Sequence, residues 1–156
     1  MRRAGSMIVV VTLAAVLAGC GKQDKAATAA APEVTEAEKQ AALASLPAPY
    51  NTADLDNGRA KFALCQSCHT IVQGGPNMTG PNLHGVFGRK AATNDYRYSD
   101  ALKSAGFVWD AAHLDQWLAN PRTYLPGTKM SFAGLKDPKD RVDLIAFLKV
   151  ETGYKP

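Results

Sequence analysis

Cysteine, sustained strand patterns and clustered basic charge are all scarce in this sequence of 156 residues. Its three cysteines, Cys20, Cys65 and Cys68, are too few for a disulfide framework, so apolar packing or a cofactor must stabilise the core. The net charge is +4, but no run of five basic residues occurs, and we therefore expect no nucleic-acid binding. No segment shows the alternation of a β-strand, which predicts an all-α domain.

The N-terminus has the pattern of an export signal. Arg2 and Arg3 precede an apolar stretch from Met7 to Gly19, which is too short to span a bilayer easily. The run Leu17–Cys20 resembles the bacterial lipoprotein cleavage box, which implies that residues 1–19 are removed and Cys20 is acylated. The alternative is a plain signal peptide with a chance cysteine near its end.

Residues 20–49 have the composition of a linker. They are rich in Ala, Glu and Pro and contain no aromatic residue, which predicts a flexible tether between Cys20 and the folded domain. Thr35 and Glu38 predict a capping box for a short helix that Pro47 stops. As a flexible coil, the tether would reach roughly 30 Å.

Residues 50–156 form the predicted folded domain. Helices are expected from about 54 to 64, from Asp110 to before Asn120-Pro121, and from Asp137 to before Gly153, with a brief turn from Ser99 to Ser104. Residues 71–98 show little regular pattern. A loop of that length in a compact domain is usually functional, and wrapping a cofactor would explain it.

The run Cys65-Gln66-Ser67-Cys68-His69 has the spacing of a c-type haem attachment site. Each thiol can form a thioether to one haem vinyl group, and His69 is then directed at the iron. A zinc site could recruit His84 but lacks a second Cys or His pair at finger spacing. A redox dithiol would need a βαβ context, which is absent. The motif therefore predicts one covalently bound haem c.

An electron-carrying haem needs a sixth ligand, and four side chains are candidates: His84, His113, Met78 and Met130. Met130 follows Pro126-Gly127, residues that fix a turn and could hold the thioether against the iron. A lone methionine is more often core filler, so the residues alone leave the choice open.

From about Leu55 to Lys149 the chain resembles class I, mitochondrial-type cytochrome c. The matching segments are Gly74–Gly75, Thr79–Gly85, Phe87–Lys90, Tyr124–Leu135 and Asp143–Leu148. The resemblance implies an all-α fold of helices and long loops wrapped around one haem, with Gly58 and Phe62 crossing Leu144 and Phe147. It also implies an electron carrier and not an enzyme.

The resemblance further implies the roles of the site residues. His69 and Met130 become the two iron ligands, and the Pro81 carbonyl accepts a hydrogen bond from the other nitrogen of His69. The expected haem-binding set is Cys65, Cys68, His69, Pro81, Arg89, Tyr98, Trp109, Trp117, Thr128 and Met130. Within this set, Arg89, Tyr98 and Trp109 match residues that hold the buried propionates, and Thr128 matches a hydroxyl on the same side.

The sequence departs from the family in two places. Trp117 replaces a tyrosine beside the methionine ligand and Leu102 replaces an asparagine, which makes the distal side less polar. The basic ring around the exposed haem edge near Cys68 is also thinner. Leu64, Met78 and Thr123 stand at typically basic positions, while Arg122, Lys129 and Lys136 remain.

Together these features predict a periplasmic electron carrier, monomeric and anchored to a membrane by lipid at Cys20. By resemblance, its partners are a bc1-type complex and a terminal oxidase. Two alternatives stay open at this point. One is a haem-binding subunit of a larger respiratory complex, and the other is a haem enzyme or gas sensor with an open iron position.

Overall fold

The computed structural model describes residues 34–153; the predicted signal peptide, Cys20 and the first part of the tether lie outside this range. The helices are α1 (Glu36–Ala44), α2 (Leu55–Phe62), α3 (Asp100–Ser104), α4 (Ala111–Ala119), α5 (Pro121–Tyr124) and α6 (Pro138–Thr152), with a 3-10 turn at Tyr50–Thr52. Over the described residues there is no β-strand, and Lys90 and Val108 form an isolated bridge. The all-α fold is therefore confirmed.

Capping side chains set the helix boundaries where the sequence predicted them. The Asp54 carboxylate accepts hydrogen bonds from two N–H groups in the first turn of α2, and Asp110 does the same for the N–H of His113 in α4. Asp137 caps α6, Pro138 occupies its first position, and Gly153 follows its end. Each cap satisfies N–H groups that the helix itself leaves unpaired.

Helices α2 and α6 are in close contact, as the resemblance implied. A methyl group on Gly58 would overlap the Asp143 carbonyl oxygen and lie 2.7 Å from Cβ of Phe147. One turn later, the rings of Phe62 and Phe147 are 5.6 Å apart. The missing side chain at Gly58 is thus what allows the two backbones to approach.

A buried carboxylate, that of Asp143, joins the two helices at this crossing. It accepts hydrogen bonds from the Asp54 N–H (2.9 Å), the Asn57 amide (2.7 Å) and the Lys139 ammonium (2.6 Å). Burial raises the pKa of Asp143, but the bonds from Lys139, Asn57 and Asp54 outweigh it and hold the pKa below its ordinary value. The Asp143 carboxylate is therefore ionised at neutral pH.

Helix α1 differs from the prediction of a freely moving tether. Its capping box between Thr35 and Glu38 is present, as expected. However, α1 packs against α6, and Leu46 just beyond it is buried in the core. Burial of Leu46 requires the surface of α6, which a reading of the linker composition does not take into account. From Thr35 onward the predicted tether is part of the folded body.

No helix within residues 34–153 is both long enough and apolar enough to cross a membrane.

Candidate cofactor site

The long loop, helices α3, α4 and α6 and residues 128–132 line a cavity of about 280 Å³. All ten residues of the predicted haem-binding set line it. The apolar part of the lining comes mainly from Leu83, Val86, Leu102, Trp109, Leu114, Trp117, Leu118, Phe132 and Leu148. Two thiols, one imidazole and one thioether thus face a mostly apolar space. This donor set fits a flat apolar cofactor that is attached through sulfur.

The attachment motif forms a tight turn directly after α2. The N–H groups of Cys68 and His69 both donate to the Cys65 carbonyl, each at 3.0 Å, so the two cysteines lie one turn apart. No disulfide joins the two thiols, and burial raises the pKa of Cys65 to about 11. Before a thioether forms, the Cys65 thiol is therefore protonated at neutral pH.

The His69 imidazole is oriented by the Pro81 carbonyl. Its Nδ1 lies 2.7 Å from that oxygen, which is the hydrogen bond that the resemblance implied. A carbonyl can only accept, so Nδ1 carries the proton and Nε2 presents a lone pair. Burial lowers the pKa of His69, and the bond to Pro81 only partly opposes this effect. The ring is therefore held in the neutral form that a metal requires.

Gly80 provides the space for the His69 ring. A Cβ atom on Gly80 would lie 2.7 Å from Nδ1 and 2.8 Å from Nε2 of His69. The Gly80 backbone cannot move away easily, because its N–H donates to the Cys68 carbonyl at 2.8 Å and its carbonyl accepts from Met78 at 2.8 Å. Gly80 lies in a segment that resembles the family, but its contact with the His69 ring has no local signal in the sequence.

Met130 lines the same cavity as His69. The Met130 N–H donates to the Thr128 hydroxyl at 3.2 Å, and the ammonium of Lys129 donates to the Tyr98 carbonyl at 3.2 Å. These contacts attach the methionine loop to the segment that closes the same cavity.

The other three ligand candidates, all within the described residues, do not line the cavity. The His84 ring lies 3.3 Å from the Ile71 carbonyl, and the His113 ring stacks on Phe107 and contacts the Asp110 carboxylate at 2.8 Å. Met78 is 46% exposed. Met130 is therefore the one candidate of the four that the structure brings to the site.

One end of the cavity is polar. Arg89 donates to the His84 carbonyl at 2.9 Å, and no carboxylate within residues 34–153 forms an ion pair with it. Burial lowers the pKa of Arg89 and raises that of Tyr98, two groups that line the cavity beside Trp109. A half-buried cation without an anionic partner suits a ligand that supplies its own carboxylates.

Trp117 and Leu102, the two departures from the family, both add apolar side chains to the cavity lining. Trp117 is buried, with its ring edge-on to Trp109 (5.4 Å) and to Tyr124 (6.3 Å), and Leu102 is buried beside it in the lining. Neither side chain can place a hydroxyl or an amide against Met130.

Asn82 organises the long loop, and the sequence analysis gave it no role. Its amide donates to the Thr70 hydroxyl (2.7 Å) and to the Val72 (2.9 Å) and Gly75 (3.0 Å) carbonyls, while its oxygen accepts from the His84 N–H. These bonds replace regular secondary structure in residues 70–84 and hold Pro81 opposite His69. An asparagine beside a proline in an irregular segment was the available signal in the sequence.

Comparisons with known proteins agree on one family. The family model for cytochrome c matches residues 55–150. The chain is 58% identical over 97 residues to cytochrome c of Theileria parva, an alignment covering 62% of this chain and 84% of that protein. It is 48% identical over 116 residues to a cytochrome c homolog of Rickettsia felis, covering 74% and 66%. The solved structure of cytochrome cH from Methylobacterium extorquens is 47% identical, with a TM-score of 0.59, covering 62% of this chain and 98% of that one.

Proposed function

Because this chain belongs to the cytochrome c family and carries one haem c through Cys65 and Cys68, we propose that His69 and Met130 ligate the iron of a membrane-tethered periplasmic electron carrier. The observation that carries the proposal is the shared cavity, which His69 and Met130 line together. When bound, the haem supplies one-electron redox chemistry. The residues of the chain hold, orient and shield it.

The ligand assignment is tested by the absorption spectrum of the ferric protein. Methionine sulfur bound to ferric iron gives a weak red band, and we expect Met130→Ala to abolish it and to produce high-spin features. Met78→Ala is the matched control, because Met78 is exposed and outside the cavity, and it should keep the band. A band that survives Met130→Ala would refute the ligation and reopen the reading of a haem enzyme or gas sensor.

The electron exit is proposed at the cavity mouth near Cys68. Leu64 lines this mouth and is 56% exposed, which leaves an apolar side chain where a partner would dock. Arg122, Lys129 and Lys136 are exposed, and none of them forms an ion pair within the described chain. These three cations supply a limited electrostatic attraction.

We therefore expect electron transfer to a terminal oxidase to depend weakly on ionic strength. Leu64→Lys, which adds a charge at the mouth, should steepen the salt dependence, whereas Val108→Lys adds one at an exposed apolar position outside the cavity lining and should not. A steep dependence in the unmodified protein would contradict the proposed weak steering.

The membrane tether is proposed from Cys20 and the linker, which lie outside the described residues apart from the last part of the linker. A tether would raise the local concentration of the haem domain near a bc1-type complex and an oxidase. Labelling cells with a clickable fatty acid tests it: the wild type should be labelled and Cys20→Ala should not. An unlabelled wild type would return the protein to the soluble carriers without affecting the haem assignment.

A further inference from the structure

The segment after Met130 is held at its ends and not along its length. In the described structure, residues 131–134 donate and accept no hydrogen bond. Phe132 contributes a lining side chain, but the backbone around it makes no polar contact. The position of Met130 therefore depends on the anchors that precede and follow this stretch.

The anchor that follows is formed against the C-terminal end of α4. The Leu135 N–H donates to the Leu118 carbonyl at 2.8 Å, and the Lys136 ammonium donates to the Ala119 carbonyl at 3.2 Å. A side chain on Gly134 would overlap that same Ala119 carbonyl, so the backbones are in close contact. The chain then enters α6 at Asp137.

Arg141, in the first turns of α6, holds this anchor from the other side. Its Nη1 donates to the Leu135 and Lys136 carbonyls, both at 3.0 Å, while its Nε donates to the Asp115 carboxylate of α4 at 2.8 Å. The Arg141 side chain is only 13% exposed. Leu135 is thus bonded on one side to α4 through its N–H and on the other to α6 through its carbonyl.

We propose that Arg141, oriented by Asp115, is a positioning residue for the distal ligand. It clamps the far end of the Met130 segment and so sets how often the thioether leaves the iron. This inference rests on the ligation proposed above. It assigns the positioning of Met130 to a residue that does not itself line the cavity.

The geometry requires an arginine. The planar guanidinium donates to three oxygens at fixed angles, whereas a lysine ammonium would be a single point of charge on a flexible stem. Without the guanidinium hydrogen bonds to the Leu135 and Lys136 carbonyls, the segment from 131 to 136 gains conformations in which Met130 does not reach the iron. An added ligand binds only those conformations, so its apparent affinity rises in proportion to their population.

The test is a titration of the ferric holoprotein with imidazole, followed by loss of the weak red band. We expect Arg141→Lys to bind imidazole about tenfold more tightly than wild type, because charged hydrogen bonds to the anchor are lost. Asp115→Ala should show a smaller increase, because it removes only the group that orients Arg141. Arg59→Lys is the matched control, because the ion pair of Arg59 with Glu151 (3.3 Å) involves no residue of segment 131–136.

The outcomes separate this inference from the proposed function. If the wild type lacks the red band, the ligation itself is wrong, and the clamp has no ligand to position. If the wild type has the band and Arg141→Lys binds imidazole no more tightly than Arg59→Lys, the ligation stands and the clamp is refuted. Should Arg141→Lys fail to fold, Asp115→Ala compared with Arg59→Lys decides in the same way.

Discussion

Gly80→Ala should damage the site through one contact, that with the His69 ring. The added methyl would lie 2.7 Å from Nδ1 and 2.8 Å from Nε2, which is nearly 1 Å inside a separation of about 3.5 Å. The φ angle of Gly80 is not in the left-handed region, so the cost comes from the lack of space and not from backbone strain.

The magnitude follows from what must move. The Gly80 backbone is fixed by two hydrogen bonds of 2.8 Å, so the ring is displaced and its bond to Pro81 stretches from 2.7 Å. Overpacking costs about 2 kcal/mol, and losing the hydrogen bond costs about 1 kcal/mol. We therefore expect the free energy of unfolding to fall by about 3 kcal/mol.

The assay is guanidinium unfolding of the ferric holoprotein together with its visible spectrum. Gly74→Ala is the matched control, because Gly74 has a φ of +70° but no atom within 4 Å of an added Cβ. It should cost about 1 kcal/mol from backbone strain alone and leave the spectrum unchanged. If Gly80→Ala costs no more than Gly74→Ala and leaves the spectrum unaltered, the His69 ring is not packed against Gly80.

Three further variants test the scaffold. Gly58→Ala should lower the free energy of unfolding by about 3 kcal/mol in denaturant titrations, because its methyl overlaps the Asp143 carbonyl; a neutral result would disprove the close crossing. Asp143→Asn should cost about 2 kcal/mol at neutral pH. Because the folded pKa of Asp143 lies below its ordinary 3.8, this stability is present above pH 3.8 and is lost as the pH falls through the folded pKa, so wild type and variant should converge in acid. Leu46→Ala should cost about 2–3 kcal/mol and speed amide exchange in α1 while keeping the red band; unchanged exchange would mean that α1 does not depend on this contact.

Local signals explain how much of the fold could be predicted from the sequence. The ends of α4 and α6 were placed to within about a residue because each start has a capping side chain of its own. The stretch that forms α3 was predicted only as a brief turn. Helix α5 was missed, although Asn120 caps it and Pro121 begins it, because the same two residues also end α4. The Asn120-Pro121 dipeptide indicates both the end of α4 and the start of α5, and only the end of α4 was predicted from it.

Features that depend on packing between distant segments could not be predicted in this way. The Arg141–Asp115 pair joins residues 26 apart and exists only because α4 and α6 meet at the angle they do. Burial of Leu46 likewise requires α6 to be in place. Of the predicted site residues, Cys65, Cys68 and His69 came from the attachment motif and the other seven from family resemblance. The contact of Gly80 with His69 and the Asn82 network depend on the three-dimensional structure.

The two sides of the cavity are therefore held by different kinds of contact. His69 is fixed within residues 65–82, where the turn at Cys65 and the Pro81 carbonyl lie at most 16 residues apart in sequence. The segment around Met130 is fixed through Lys129 to the Tyr98 carbonyl and through Leu135 to Leu118 of α4 and Arg141 of α6. Long-range contacts are lost whenever any one element loosens, while local contacts survive. Under the proposed ligation, we expect His69 to stay in place when Met130 is displaced, and we expect substitutions at Arg141 and Asp115 to change how Met130 is held without disturbing the attachment of the haem.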